Sequence, residues 1–470
     1  MSEPLWQWPD LLAATQGQPD GAPAMPIRGF SIDTRRLAPG EVFVPLKDTR
    51  DGHAFVPAAF KAGAPAAIVA RSYPSARPGW ALLRVSDPLR ALESIGRAAR
   101  ARCSGRIVAI TGSVGKTGTK EMLSQSLALA GPTHAAEKSY NNQWGVPLTL
   151  ARMPPGCAFA VIEIGMNHPG EILPLVQQVR PHVAVITTVE PVHLGHFDSV
   201  AAIAEAKAEV FSGLVPGGIA VVPRDSPHYA LLRERAATAG ARIVSFGYHV
   251  EADVRALQVD LGANGSSVIA GRGSQRFPYR VGAPGEHYVK NSLAVLATLG
   301  AVGADAMRSL PALAHVSAPA GRGARTLLDA PGGQILLIDE SYNANPASVC
   351  AALAAMASTP REAFSRRVAV LGDMLELGEA SADLHRGLKH AIDAAGIDLV
   401  VACGPMMRLL YDDLAPERRA WAPTSAALEA DLLGRVQAGD VVMVKGSLGT
   451  RMAPLVAAML GRFGPGRPGG

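Results

Sequence analysis

Two long stretches of the chain alternate short continuous apolar runs with helix-like segments, and a smaller mixed stretch precedes them. From about residue 106 to 315 the runs are IVAIT, FAVIEIG, VAVITTV, GIAVVP and RIVSFG. Helices are predicted from Lys116, over about 199–214 and near 227–239. Continuous β-branched runs separated by helices predict a parallel sheet covered on both faces. Segment 252–281 (SSVIAG, QRFPYRV) reads as short strands with turns, a β-extension of this unit, and GEHYVKNSLAVLATLGAVG as a helix. From about 316 to 462, ILLIDE, RRVAVLG, LVVAC and DVVMVKG alternate with helices from Pro346, near 381–395, from Pro405 and at the end. Residues 1 to about 105 hold two short strand candidates around Pro39-Gly40, a buried strand ending AAIVA, and a helix from Asp87-Pro88 to about Arg102. The FGPGRPGG tail carries no packing signal and is expected to be disordered.

Ligands of covered parallel sheets gather beyond the carboxyl ends of the strands, so the residues after each apolar run are the ones that can carry chemistry. After IVAIT comes TGSVGKT, a Gly-containing loop with Lys116 and Thr117 that opens a helix. Strand, loop and helix in that order suit a nucleotide phosphate: backbone N–H groups face the anion, the ammonium reaches the outer phosphates and the hydroxyl can ligate Mg²⁺. The loop is a short variant, because Ile110 stands where the usual eight-residue pattern begins with Gly. After the next runs come Glu163, then Glu190, His193 and His196, with Lys207 on the following helix. Each has an ordinary alternative: a helix-start carboxylate, a loop histidine, a solvated lysine. Two of them, Glu163 and His193, fall at strand ends, where Mg²⁺ bridging phosphates needs one or two such ligands. Lys207 could act as a bare charge, or as a carbamate formed with CO₂ that supplies an anionic oxygen pair.

Other polar clusters have two readings each. Asn141 and Asn142 either form a turn or hold a reacting carboxyl or its phosphate. His287 and Asn291 suit an adenine edge or a helix N-cap. Ser31, Asp33, Thr34 and Arg35 are turn formers or a phosphate or uracil site. Strand ends in the last stretch hold Asp339, Glu340 and Lys445-Gly446-Ser447, and Arg322 in the preceding linker could clamp phosphate across a gap.

Composition narrows this only a little. The 470 residues allow roughly three domains. With 48% hydrophobic and 18% charged residues the chain is globular. A net charge of +5 with scattered basic residues gives no nucleic-acid footprint. Four widely spaced cysteines read as free thiols of a reducing compartment, and a structural zinc site is not expected. MSEPLWQWPDLL lacks the plan of a secretory signal, and no apolar run approaches a membrane span, so a cytoplasmic protein is expected.

TGSVGKT, NNQWGVPL, the Glu163 strand end, VEPVHLGHF with EAKAE, GEHYVKNSLA, GRG, DESYNANP, LGDMLELG and VKGS follow in order over roughly residues 25 to 455. Together they resemble the Mur ligases, the ATP-dependent amide-forming enzymes of peptidoglycan synthesis. Within the family, SIDTRR…PGEVFVPL…DGHAF, KSYNNQWGVPL and DESYNANP resemble the member that joins D-alanyl-D-alanine to UDP-N-acetylmuramoyl-tripeptide. The resemblance implies an α/β protein of three domains: a small N-terminal UDP-binding domain (1–105), a central parallel-sheet P-loop ATPase domain (106–315) and a C-terminal Rossmann-like domain (316–470). It implies ATP, two Mg²⁺ ions and an acyl-phosphate intermediate. By the family's pattern Gly112, Ser113, Val114, Gly115, Lys116, Thr117 and Gly118 cradle the phosphates. Thr117 and Glu163 hold one Mg²⁺, and His193 with a carbamylated Lys207 organises the second. Asn142 touches the acyl phosphate region, with Asn141 beside it on the substrate. His287 and Asn291 face adenine, and Arg322 and Asp339 reach phosphate and ribose. Ser31, Thr34 and Arg35 face the uridine diphosphate, Asn343 and Asn345 bind substrate, and Lys445 and Ser447 lie toward the incoming dipeptide. Gly118 replaces a common second hydroxyl, and Asp198 stands where Gly is expected. A monomer is expected. Two alternatives stay open: a sibling ligase (the third-residue-adding Mur ligase or a folylpolyglutamate synthetase), and a P-loop ATPase switch that ligates nothing.

Overall fold

The computed structural model describes residues 3–74, 77–192, 194–262 and 264–464. His193 and the last six residues of the tail therefore lie outside the described residues. Three sheets follow one another along the chain, and each takes its strands from one of the three stretches.

The first sheet is built from β1 (Gln18–Asp20), β2 (Gly29–Ser31), β3 (Glu41–Phe43), β4 (Ala67–Ala70) and β5 (Leu82–Val85), in the order β1-β5-β4-β3-β2. The strands on either side of Pro39-Gly40 lie parallel, as β2 and β3, and only β1 runs antiparallel to its neighbour. The helix Pro88–Arg102 begins where Asp87 accepts from the N–H groups of Leu89 and Arg90, a side-chain cap followed by Pro at the first helical position. It carries the chain into the second sheet.

That sheet holds nine strands: β6 (Arg106–Thr111), β7 (Thr133–Ala135), β8 (Phe159–Glu163), β9 (Val183–Ile186), β10 (Ile219–Pro223), β11 (Arg242–Gly247), β12 (Val254–Gly262), β13 (Gly265–Arg272) and β14 (Gln275–Val281). Their order is β14-β13-β12-β11-β10-β9-β6-β8-β7. From β7 to β12 all neighbours are parallel, and the strands buried along their whole length, β9 and β10, are the continuous apolar runs. β12, β13 and β14 pair antiparallel, the expected β-extension. The chain leaves β6 toward β8 on one side and returns to β9 on the other, so the strand order reverses beside β6. A crevice for a ligand opens at such a reversal.

The third sheet has the order β15-β16-β20-β17-β18-β19, with β15 (Ala324–Ala330), β16 (Gly333–Glu340), β17 (Arg366–Gly372), β18 (Leu399–Cys403), β19 (Arg419–Ala422) and β20 (Asp440–Lys445). β16 to β19 are parallel; β15 folds back antiparallel on β16 through the Pro331-Gly332 turn.

The first and second units are stapled together. The Trp6 indole N–H donates to the Ala151 carbonyl at 2.9 Å, and Arg152 donates to the Phe30 carbonyl at 2.7 Å and to the Glu41 carboxylate at 3.0 Å. Leu148 and Ala151 of the second unit pack in one core with Phe30, Leu92 and Ile95 of the first. The four cysteines are free, with the buried Cys103 and Cys157 sulfurs 3.3 Å apart. Among the described residues no helix is long and apolar enough to cross a membrane.

Candidate active site

Beyond the carboxyl end of β6 the chain turns through Gly112 and Gly115, at φ 147° and 86°, into the helix Lys116–Ala128. Side chains are barred at both positions: a Cβ on Gly112 would stand 2.0 Å from Thr187 Oγ1, and one on Gly115 2.6 Å from Asn291 Oδ1. The loop is braced by the end of β9. Ser113 N–H donates to the Thr188 carbonyl at 2.9 Å, Val114 N–H to Thr188 Oγ1 at 3.0 Å, and the Thr187 hydroxyl to the Val114 carbonyl at 2.5 Å. With those amides engaged, the open end of the helix presents the remaining donors to an anion. The Lys116 ammonium folds over this loop, donating to the Gly112 carbonyl at 2.6 Å. Burial pushes it down to about 8; the Glu163 carboxylate opposes the shift and the Arg322 guanidinium adds to it.

One turn into the site, the Thr117 hydroxyl lies 3.1 Å from Glu163 Oε1 at the end of β8 and 3.0 Å from the Ser139 hydroxyl. Asn141 Nδ2 donates to the same Glu163 oxygen at 2.8 Å. The other oxygen, Oε2, is buried without a hydrogen-bond partner. A buried carboxylate oxygen left bare is costly. Together with a hydroxyl beside it, it makes an all-oxygen donor set of the kind a hard divalent cation takes, so Thr117 and Glu163 fit Mg²⁺. Lys207 is 2% exposed, and burial first, then the Lys116 ammonium, hold its amine well below the usual lysine range.

The cavity in front of the loop measures about 1100 Å³, and all three units wall it. Ser113, Val114, Gly115, Lys116, Gly118, Asn141, Asn142, His287 and Asn291 form the central wall, and Arg322, Asn343, Asn345, Lys445 and Ser447 the opposite one. Asp87, Arg90 and Glu93 of the first unit also line it. Arg322 stacks on the Tyr342 ring at 4.1 Å and reaches Ser139 Oγ at 3.4 Å, and the Tyr288 hydroxyl donates to the Arg322 carbonyl at 3.2 Å. The Ser139 and Tyr288 contacts bridge the second and third units.

Several expected residues have local duties. Asn142 accepts from the Trp144 and Gly145 N–H groups and so starts the next helix. Asn345 caps the helix Pro346–Ala357 in a reciprocal box with Ser348. Lys445 is 3% exposed, paired with Glu340 at 3.1 Å and donating to the Asn343 carbonyl at 3.0 Å. Ser447 accepts from Leu375 N–H and donates to the Ala344 carbonyl. Asp339 turns away from the cavity: its carboxylate accepts from Gly321 N–H at 2.8 Å and from the Ser341 hydroxyl at 2.6 Å. Ser31, Thr34 and Arg35 lie outside the cavity wall; Ser31 is buried in its own turn, and Arg35 forms an exposed pair with Asp33 at 2.7 Å. Ser139, Tyr288, Glu340 and Tyr342 are cavity residues that the sequence did not single out as ligand contacts. Ser139 had a signal in its place two residues before Asn141, and Glu340 in its place at a strand end.

Residues 110–299 match the Mur ligase middle domain and residues 327–448 the Mur ligase glutamate ligase domain. The UDP-N-acetylmuramoyl-tripeptide–D-alanyl-D-alanine ligase of Escherichia coli (strain K12) is 33% identical over 461 residues, covering 98% of each chain. The enzyme of that name from Bacillus subtilis (strain 168) is 31% identical over 92% of this chain and 93% of its own. Among solved structures, a crystal structure of MurF from Acinetobacter baumannii superposes with a TM-score of 0.83 at 30% identity, covering 97% of this chain and 99% of its own. MurF ligase from Thermotoga maritima in complex with ADP gives 0.76 at 25% identity, over 93% and 98%. The chain belongs to the Mur ligase family.

Proposed function

We propose that the chain is the ATP-dependent ligase that joins D-alanyl-D-alanine to UDP-N-acetylmuramoyl-tripeptide, giving the pentapeptide precursor of peptidoglycan. The observation that carries this reading is likeness along nearly the whole chain to ligases named for that step, with the phosphate loop lining one cavity and Glu163 buried behind it against Thr117 and Asn141. We divide the chain into units of residues 1–105, 106–315 and 316–470 for the UDP-sugar, ATP and the dipeptide.

A terminal carboxylate oxygen of the tripeptide attacks the γ-phosphorus of ATP and ADP leaves. The dipeptide amine then attacks the acyl carbon and loses its proton, the acyl C–O bond breaks and phosphate departs. Lys116 and the helix N-terminus oppose the charge that gathers on the transferring phosphoryl group. Mg²⁺ held by Thr117 and Glu163 would supply further charge neutralisation on the phosphate oxygens. Burial lowers the Lys207 amine and so favours the free base that a CO₂ adduct requires, and such a carbamate, together with His193, would serve the second metal. Asn141 and Asn142 would orient the acyl phosphate, His287 and Asn291 adenine, and Arg322 the phosphates from the opposite wall. Asp339 would reach ribose only after releasing the 321 and 341 turns. Ser31, Thr34 and Arg35 would meet the uridine diphosphate, and Asn343, Asn345, Lys445 and Ser447 the dipeptide. The free thiols accord with a cytoplasmic enzyme, which we take to act as a monomer.

ADP release from the purified protein with ATP and Mg²⁺, omitting each acceptor in turn, tests the assignment. Turnover that needs both acceptors is expected. Turnover with another amino acid points to a sibling ligase, and turnover with neither to an ATPase switch.

A further inference from the structure

The helix that opens the phosphate loop carries a third functional position. Lys116 and Thr117 face the nucleotide end, and Lys120 follows at i+4 and i+3 on the same side of the helix. Lys120 is 0% exposed. Its ammonium donates to the Ala136 carbonyl at 2.5 Å and to the Lys138 carbonyl at 3.3 Å, and pairs with Glu121 at 2.8 Å.

A buried ammonium is a poor way to fill space. An apolar side chain of similar length fills the same volume without the loss of hydration. What the ammonium adds is several donors radiating from one point, and here two of them hold carbonyls two residues apart in a single loop. The next residue is Ser139, whose hydroxyl lies 3.0 Å from Thr117 Oγ1. Two residues further, Asn141 donates from its side chain to Glu163 Oε1 at 2.8 Å and accepts from Gly165 N–H at 2.8 Å through its carbonyl. The strand before the loop, β7, is only three residues long and lies at the sheet edge, so it offers the loop little support of its own.

We propose that Lys120 is a positioning residue: by clasping the Ala136 and Lys138 carbonyls it fixes the loop that sets Ser139 and Asn141 against Thr117 and Glu163, and so tunes the divalent-cation end of the nucleotide site. Lys120 does not line the cavity. One helix thereby presents the phosphate lysine, the hydroxyl and the clamp in fixed mutual register. The inference rests on the reading of Thr117 and Glu163 as the Mg²⁺ end of an ATP site.

The test is ADP binding by calorimetry, with and without Mg²⁺, to the full-length wild type, Lys120→Met and Lys120→Arg, each first checked for a cooperative thermal melt. Lys120→Met removes the donors. Lys120→Arg keeps a cation but moves its donors outward in a site with no spare room. Both variants should bind Mg²⁺-free ADP about as the wild type does and lose roughly tenfold or more of the increment that Mg²⁺ adds, the size expected when support behind a metal ligand is removed. The apparent KM for D-alanyl-D-alanine should not move. An unchanged Mg²⁺ increment in Lys120→Arg overturns the positioning role and leaves only a charge effect. An equal loss with and without Mg²⁺ overturns it in favour of general support of the fold. If Lys120→Met does not fold, Lys120→Arg decides alone. Failure of the wild type to gain affinity with Mg²⁺ overturns the metal-site reading itself, which separates the two failures.

Discussion

Thr117 and Glu163 meet at 3.1 Å across two elements, the first turn of a helix and the last residue of a strand, and the far oxygen of the carboxylate has no partner. Glu163→Gln keeps the shape and gives Asn141 an acceptor while removing the charge. Ligation should fall by at least about 10–100-fold, the range for disturbed metal sites. Thermal stability should hold or rise, because leaving a buried carboxylate oxygen bare costs about 1–3 kcal/mol. Steady-state ADP release and a thermal melt on the same sample check both halves. A large loss of stability would show that the carboxylate holds the fold rather than a ligand.

Gly115 and Asn291 form a second close pair, since any Cβ at 115 would press on the Asn291 amide. Gly115→Ala should weaken ATP binding and destabilise by about 1–3 kcal/mol through its positive φ alone. Adding Asn291→Ala removes the collision but not the backbone strain. Stability should therefore recover in part, a non-additive coupling readable from a double-mutant cycle of urea midpoints.

Lys207→Ala should lose ligase activity by at least about tenfold if its carbamate serves the second metal. Formate or acetate added to the variant should restore part of the rate. A variant with full activity removes the carbamate from the mechanism.

The His182 ring accepts from Ile107 N–H at 3.0 Å, and burial, with Arg100 and Arg106 nearby, pushes it down to about 4. Between the ordinary histidine value of about 6.5 and that of the folded state, the unfolded chain binds more protons, so stability falls as pH drops through this window. Burial acts in the same direction on His134, His287 and His385. Replacing His182 with Asn should flatten part of the acid limb in urea midpoints taken from pH 7 to 4. An unaltered limb rules His182 out as a contributor.

Much of the central site was legible because its residues sit where apolar runs stop. Glu163 ends FAVIE, and the loop ends RIVAIT. The β-extension was legible as short strands separated by turns. The strands THA and RAWA are too short to show a period, and β15 was passed over although the Pro331-Gly332 turn marks its hairpin. Asp339 shows the limit of the strand-end rule. It stands at the right place in the sequence, but its carboxylate is used by Gly321 and Ser341. The Glu340 pair with Lys445 and the Tyr342 stack on Arg322 join residues 105 and 20 positions apart, contacts that no local pattern encodes.

The staple between the first and second units has a mechanical meaning. Trp6 and Arg152 fix the first sheet to the second through hydrogen bonds and a shared core, whereas the third unit meets the second through Arg322, Tyr288 and the Gly195 N–H bond to the Glu376 carbonyl at 3.1 Å. One seam is welded and the other is buttoned. On the proposed assignment, the distance from uridine to phosphate would be gauged on a fixed anvil, and the jaw that would bring the amine is the part held by fewer bonds.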